Sequence, residues 1–406
     1  MQLFDDLEDF GEFDDFVAGD VRDPHTELGR LRREEPIQRI EIPGLPGEEG
    51  KPIFMVYRYE EAQQLLRDNE TFSSSIIIQA FGDVFGKYVI LGMDEPEHGR
   101  HRSLIAKAFS QKALARWEDD LVTKIGTALI DRFADRGSAE LTKEFTFPYP
   151  TLIIAGLLGL PQEDYAQFQK WSISLLSFTY NPERGREASQ ALAEYFAPIL
   201  EARRSDPRDD LISGLAHAEI DGEKLSDEEI YSFLRLLLPA GVETTYRALG
   251  NLLYGLMTHP DQLDAVRADR SLLPQAIEEA VRWEPPLIMI TRVATRDTEL
   301  GGVHIPAGCS VMPVLAAANR QEGRYEDGDS FNIFREAKPN ISWGHGVHVC
   351  LGMHLARMEM RVALNLLLDR LPNLRLDTTD DPYIRGQAFR SPTALPVLFD
   401  PVGSTA

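Results

Sequence analysis

The stretch from Ser226 to Met257 constrains this chain most, because it reads as one long helix with few positions suited to solvent. Ser226 supplies an N-cap, and Glu229 three residues later completes a capping box just before the apolar run begins. From Ile230 through Phe233, Leu236, Leu237 and Leu249 the apolar spacing is helical, and at 1.5 Å per residue the element reaches ~45 Å. Apolar side chains occupy much of its circumference, so the pattern predicts a central helix buried on most sides. Helical patterns dominate from Glu60 to Asp264, with breaks at Gly137, Gly159-Leu160-Pro161, Asn181-Pro182 and Ser205-Asp206-Pro207. Strand candidates at Ile37–Ile42 and Ile53–Tyr57 flank a Pro43-Gly44-Leu45-Pro46-Gly47 connection. The expected class is mainly α with short strands.

A polar step interrupts the apolar pattern at Pro239-Ala240-Gly241-Val242-Glu243-Thr244-Thr245. Burying polar groups without partners costs ~2–7 kcal/mol, so an acid beside two hydroxyls needs a reason. Pro239 removes a helix hydrogen bond and Gly241 weakens the helix, which together predict a local opening. The alternative is a kink whose hydroxyls bond back to helix carbonyls.

The second distinctive run is Ser342-Trp343-Gly344-His345-Gly346-Val347-His348-Val349-Cys350-Leu351-Gly352. Glycines at 344, 346 and 352 permit φ > 0 and a close backbone approach to a flat ligand. Leu351, Leu355, Met358, Val362, Leu366 and Leu367 have helical spacing, which sets Cys350 at a helix N-terminus where backbone amides favour negative sulfur. A thiolate there can ligate iron. Two other readings stay open on the local pattern: an inert buried thiol, and a zinc site drawn from His345, His348, Cys350 and His354.

The run resembles the haem-ligand loop of the cytochrome P450 family. The family pattern aromatic-Gly-x-Gly-x-His-x-Cys-x-Gly falls on Trp343, Gly344, Gly346, His348, Cys350 and Gly352, with Trp where Phe is usual. Ala240-Gly241-Val242-Glu243-Thr244 resembles the same family's oxygen-activation motif. The resemblance covers nearly the whole chain. It implies a mainly α cytochrome P450 fold, a large helical domain with a smaller β-rich region, and haem b (iron protoporphyrin IX) on Cys350. It further implies Thr244 and Glu243 as the pair that organises dioxygen and proton delivery. By the same correspondence, His98, Arg102, Arg292 and His348 contact the haem carboxylates. Glu279, Arg282 and Arg335 match the family's buried Glu-Arg-Arg network, although Glu279 and Arg282 alone, three residues apart, read as a weak surface pair.

The implied activity is monooxygenation of a small, mainly apolar organic substrate by dioxygen. Leu237, Ala240, Ile288, Met289, Ile290 and Phe389 are the candidate pocket residues, within segments that also include Ile76–Phe85 and Ser177–Tyr180. No flavin or iron–sulfur segment is fused to the chain, so a ferredoxin and its reductase are the expected electron donors. Arg100, Arg102, Lys107, Lys112, Arg357 and Arg361 are expected to form a basic docking patch. A haem-thiolate isomerase or a non-catalytic haem ligand sensor would share Cys350 but need no acid–alcohol pair.

Composition narrows the rest. With 42 basic and 65 acidic residues the formal net charge is −23, which argues against nucleic acid as a partner. Two cysteines, Cys309 and Cys350, make no disulfide framework and suit a reducing compartment; Cys309, in a strand-like segment, reads as structural. The N-terminal stretch carries no run of signal or membrane-span length, so no membrane anchor and a cytoplasmic location are expected. Residues 1–20 alternate acids with phenylalanines and read as an arm, and 21–406 as a single domain.

Overall fold

The computed structural model describes residues 19–41, 51–177 and 181–401. Most of the expected arm (1–18), the Pro43–Gly47 connection and Phe178–Tyr180 lie outside the described residues. The elements that position the site are α1 (Ile76–Phe85), α2 (Glu97–Ala106), α3 (Pro148–Leu157), α4 (Asp227–Met257), α5 (Leu273–Trp283) and α6 (Met353–Arg370).

The central element is α4, and its start follows from sequence. The backbone N–H of Ser226 donates to Glu229 Oε2 at 2.6 Å, and Glu229 N–H donates back to Ser226 Oγ at 3.4 Å. The opening expected at Pro239 is not a break: the helix runs through it. Leu236, Leu237, Leu238 and Val242 are all buried around the proline, and that packing outweighs its helix penalty of ~3 kcal/mol. Helices α3, α5 and α6 pack on α4, and their apolar faces merge with it into one large core.

A five-stranded sheet forms the β-rich side. Its strands are β1 (Ile37–Ile40), β2 (Ile53–Val56), β3 (Phe72–Ser73), β4 (Arg292–Ala294) and β5 (Ser310–Pro313), in the order β1-β2-β5-β4-β3. β1 and β2 are antiparallel with Ile37 opposite Val56, and β5 runs parallel to β2 with Val311 opposite Phe54. Cys309, just before β5, is buried in this sheet's own apolar cluster, as a structural cysteine should be. A small hairpin, β6 (Ile384–Arg385) and β7 (Ser391–Pro392), reaches back to α4.

Candidate active site

The Cys350 loop is shaped by two glycines. Gly344 and Gly346 adopt φ of 74° and 73°, and a Cβ on Gly346 would stand 2.7 Å from the carbonyl oxygen of Leu66. Gly352 differs from expectation: its φ is −82°, and it serves as the cap residue of α6. The loop is closed by the Cys350 amide, which donates to the Trp343 carbonyl at 2.7 Å. Trp343 turns its indole N–H toward Glu278 Oε2 at 3.2 Å, a bond that Phe could not make.

Cys350 is exposed on one side, while the protein around the rest of the side chain pushes its thiol pKa up. The amides of Gly352 and Met353 and the nearby Arg102 pull it down, more weakly. The helix end therefore favours negative sulfur as expected, but burial wins, and a coordinated metal cation is what would deprotonate this thiol. The zinc alternative fails on geometry. Among the described residues, no three His, Cys, Asp or Glu side chains converge as ion ligands.

Histidine and arginine side chains gather beside the loop. His98 and Arg102 lie one turn apart on α2, Arg292 opens β4, and His348 precedes Cys350 by two residues. The rings of His98 and His348 are 4.0 Å apart. Burial pushes the His348 pKa down to about 3, with the neighbouring His98, Arg292 and Arg102 adding to the effect. Arg292 is 7% exposed, and burial lowers its pKa to about 10. Arg292 donates to its neighbour's carbonyl, Thr291 O, and Arg102 to Val349 O. His98 Nδ1 meets Glu95 Oε1 at 3.0 Å, while its buried Nε2 has no partner. Ser74 Oγ lies 3.1 Å from His348 Nε2, and Asp94 is occupied by the Ser73 hydroxyl and the Ser74 amide. Two arginines, Arg102 and Arg292, beside a neutral His348 and an orphaned His98 ring nitrogen fit a ligand that brings its own carboxylates. Two haem propionates have that chemistry.

On α4 the polar step faces two ways. Ala240 is exposed in mid-helix and Thr244 is partly exposed. The Thr244 hydroxyl donates to Ala240 O at 2.9 Å, so the back-bonded arrangement is realised without a helix break. Glu243 turns the other way, 1% exposed, and its Oε1 accepts from Arg247 Nε at 2.6 Å. Sequence reading passed over Arg247, although its i+4 spacing from Glu243 was visible. Of the other pocket candidates, Leu237 and Ile288 are buried, whereas Met289, Ile290 and Phe389 are partly exposed. Met289 and Ile290 also pack against the apolar clusters of the sheet side.

Glu279 and Arg282 are buried, which overturns the surface-pair reading. Arg282 Nε and Nη2 meet the Glu279 carboxylate at 2.6 and 2.8 Å, and Arg335 Nε reaches it at 3.4 Å. Half of the expected basic patch is paired with acids. Arg100 pairs with Glu223 and Glu229, Arg357 with Glu278, and Arg361 with Glu118.

Comparison with known proteins identifies the family. The family model described as Cytochrome P450 matches residues 47–392. The chain is 34% identical over 386 residues to the cytochrome P450 monooxygenase PikC of Streptomyces venezuelae, covering 92% of this chain and 90% of that protein. It is 34% identical over 383 residues to the mycinamicin IV hydroxylase/epoxidase of Micromonospora griseorubida, covering 91% and 94%. Among solved structures, the Bacillus subtilis 168 bacillaene polyketide synthase cytochrome P450 PksS superposes with a TM-score of 0.86 at 33% identity, covering 93% of this chain and 97% of that one.

Proposed function

The chain belongs to the cytochrome P450 family and is a haem-thiolate monooxygenase, and we propose that its cofactor is haem b and that Cys350 would supply the thiolate ligand. The observation that carries this assignment is the convergence of His98, Arg102, Arg292 and His348 next to the cysteine loop, with a His98 nitrogen buried and unpartnered. These four residues would hold the propionates. When bound, the haem supplies dioxygen activation and transfer of one oxygen atom, to which a thiolate ligand contributes electron density.

The chain's own residues position substrate and manage protons. Thr244 presents its hydroxyl on the exposed side of α4 beside Ala240, where it orders water and dioxygen hydrogen bonds. Glu243, behind it, connects that hydroxyl to a proton supply. This acid–alcohol pair supports oxygen insertion over isomerisation or ligand sensing, neither of which consumes protons at that face. Ala240, Met289, Ile290 and Phe389, with Leu237 and Ile288 behind them, suit a small, mainly apolar organic substrate.

Electrons come from a ferredoxin and its reductase. Arg357 and Arg361 present ion pairs and Lys107 and Lys112 show none among the described residues, so docking rests on fewer cations than a count of basic residues suggests. A cytoplasmic location is consistent with a buried Cys309 and with the lack, among the described residues, of a helix long and apolar enough to cross a membrane.

The test is the reduced carbon monoxide spectrum of the wild type and Cys350→Ser, with a pyridine haemochrome assay to identify the haem. The wild type is expected to show the thiolate-shifted band and a haem b haemochrome. Retention of that band in Cys350→Ser would remove Cys350 as the ligand.

A further inference from the structure

The buried side of α4 carries a polar ladder that neither the cofactor nor the helix itself requires. Glu243, Arg247 and Asn251, at i, i+4 and i+8, are 1%, 0% and 0% exposed. Three buried polar side chains on one face need partners. Part of what they meet is the β6–β7 hairpin. Arg247 Nη1 donates to Ser391 Oγ at 2.9 Å, and Asn251 Nδ2 donates to Arg390 O at 3.0 Å and to Glu284 O at 2.9 Å.

The same guanidinium spans acid and hairpin. Its Nε holds Glu243 Oε1 at 2.6 Å, and its carbon lies 5.8 Å from the centre of the Phe389 ring. The hairpin tip is stiff. Gly386 has φ of 132°, and a Cβ there would fall 1.8 Å from Phe389 O. Arg390 Nη1 clamps Gly386 O at 2.6 Å, and Phe389 pairs across an isolated bridge with Leu287. A displacement of the partly exposed Phe389 ring is therefore passed to Ser391 and the guanidinium rather than absorbed locally.

We propose that Arg247 is a positioning residue that ties the setting of Glu243 to the hairpin bearing Phe389, so that substrate lodged against Phe389 is sensed at the acid of the proton relay. The inference rests on the reading of Glu243 given above. Removing the guanidinium takes its positive charge away from a buried carboxylate, which favours the protonated form and spoils a relay that must both accept and release protons. A lysine keeps the charge but cannot span Glu243 and Ser391 together. Loss of the Ser391 hydroxyl keeps the ion pair but frees it from the hairpin.

The test uses holoenzyme with a substrate found by its haem spin-state shift, and measures product formed per electron pair consumed. Arg247→Leu is expected to lower this yield about tenfold, on the order of one charged buried hydrogen bond, and Arg247→Lys and Ser391→Ala about threefold. In the double variant Arg247→Leu/Ser391→Ala, the serine change should add nothing. The second readout is the substrate-minus-free infrared difference spectrum. A carboxylate band that vanishes in Glu243→Gln should be present in the wild type and lost in Ser391→Ala. If Arg247→Leu does not fold, Arg247→Lys, Ser391→Ala and their double variant carry the same comparison. Additive effects, wild-type yield in Ser391→Ala, or an unaltered infrared band there would overturn the proposal. Wild-type yield in Glu243→Gln would instead overturn the relay role of Glu243 itself.

Discussion

Glu359 offers a measurement in which folding reports directly on one buried proton. It lies in α6, 1% exposed, with no hydrogen-bond partner for Oε2. Burial pushes its carboxyl pKa well above the ordinary range. The folded chain therefore keeps a proton that the unfolded chain releases near pH 4.3, and this group's contribution to stability falls as pH rises above that value. The loss is at most about 1.36 kcal/mol per pH unit, and it lasts only while the folded carboxyl keeps its proton. Glu359→Gln keeps the shape and cannot ionise. Its amide brings two donors into the same buried spot, an offset of about 1–3 kcal/mol that does not vary with pH. Only the slope then isolates the titration. In urea unfolding at matched haem loading, followed by circular dichroism at pH 5, 6 and 7, the variant should gain on the wild type with rising pH, by up to ~1.4 kcal/mol per pH unit. Parallel profiles for the two proteins would refute the argument, because they would mean that Glu359 ionises alike in both states.

Glu279→Gln should destabilise the fold by about 3–5 kcal/mol, because it leaves the buried Arg282 guanidinium without its counter-charge. The denaturant midpoint reads this directly, and a change below ~1 kcal/mol would return the pair to the class of weak surface bridges. Arg292→Leu should speed haem loss about tenfold, the effect of one charged hydrogen bond, when haem transfer to apomyoglobin is followed. An unchanged rate would take Arg292 out of the propionate cradle.

What could be read from sequence follows the distance over which each feature is decided. The Ser226–Glu229 capping box is settled within four residues, and both of its hydrogen bonds are present. The helix breaks at Gly159 and Asn181 were legible for the same reason, since local backbone preference fixes them. Glu279–Arg282 shows where such reading stops. A spacing of three places two side chains on one helix face whether that face meets water or core, and burial is settled by Asn319, Gly328 and Ser330, whose carbonyls take the remaining Arg282 donors. Gly352 was misread because neighbouring glycines suggested a shared need for positive φ, whereas its own place as the cap of α6 requires none.

The same limit governs charge, and there it changes function. Arg100, Arg357 and Arg361 look like a patch when counted by sequence, yet their acids lie far along the chain: Glu223 for Arg100, Glu278 for Arg357, Glu118 for Arg361. These pairs are partly exposed, so each is worth little to stability. Their effect is on the field an approaching partner meets. A neutralised pair offers a hydrogen-bond pattern in place of net attraction, and steering falls to cations such as Lys107 and Lys112. Ionic strength discriminates the two cases. If free lysines dominate, Lys107→Gln and Lys112→Gln should each lower the rate of electron delivery more than Arg357→Gln or Arg361→Gln, and only the lysine effects should vanish at high salt. Equal effects at all four positions would mean that partner docking opens the ion pairs and uses every cation.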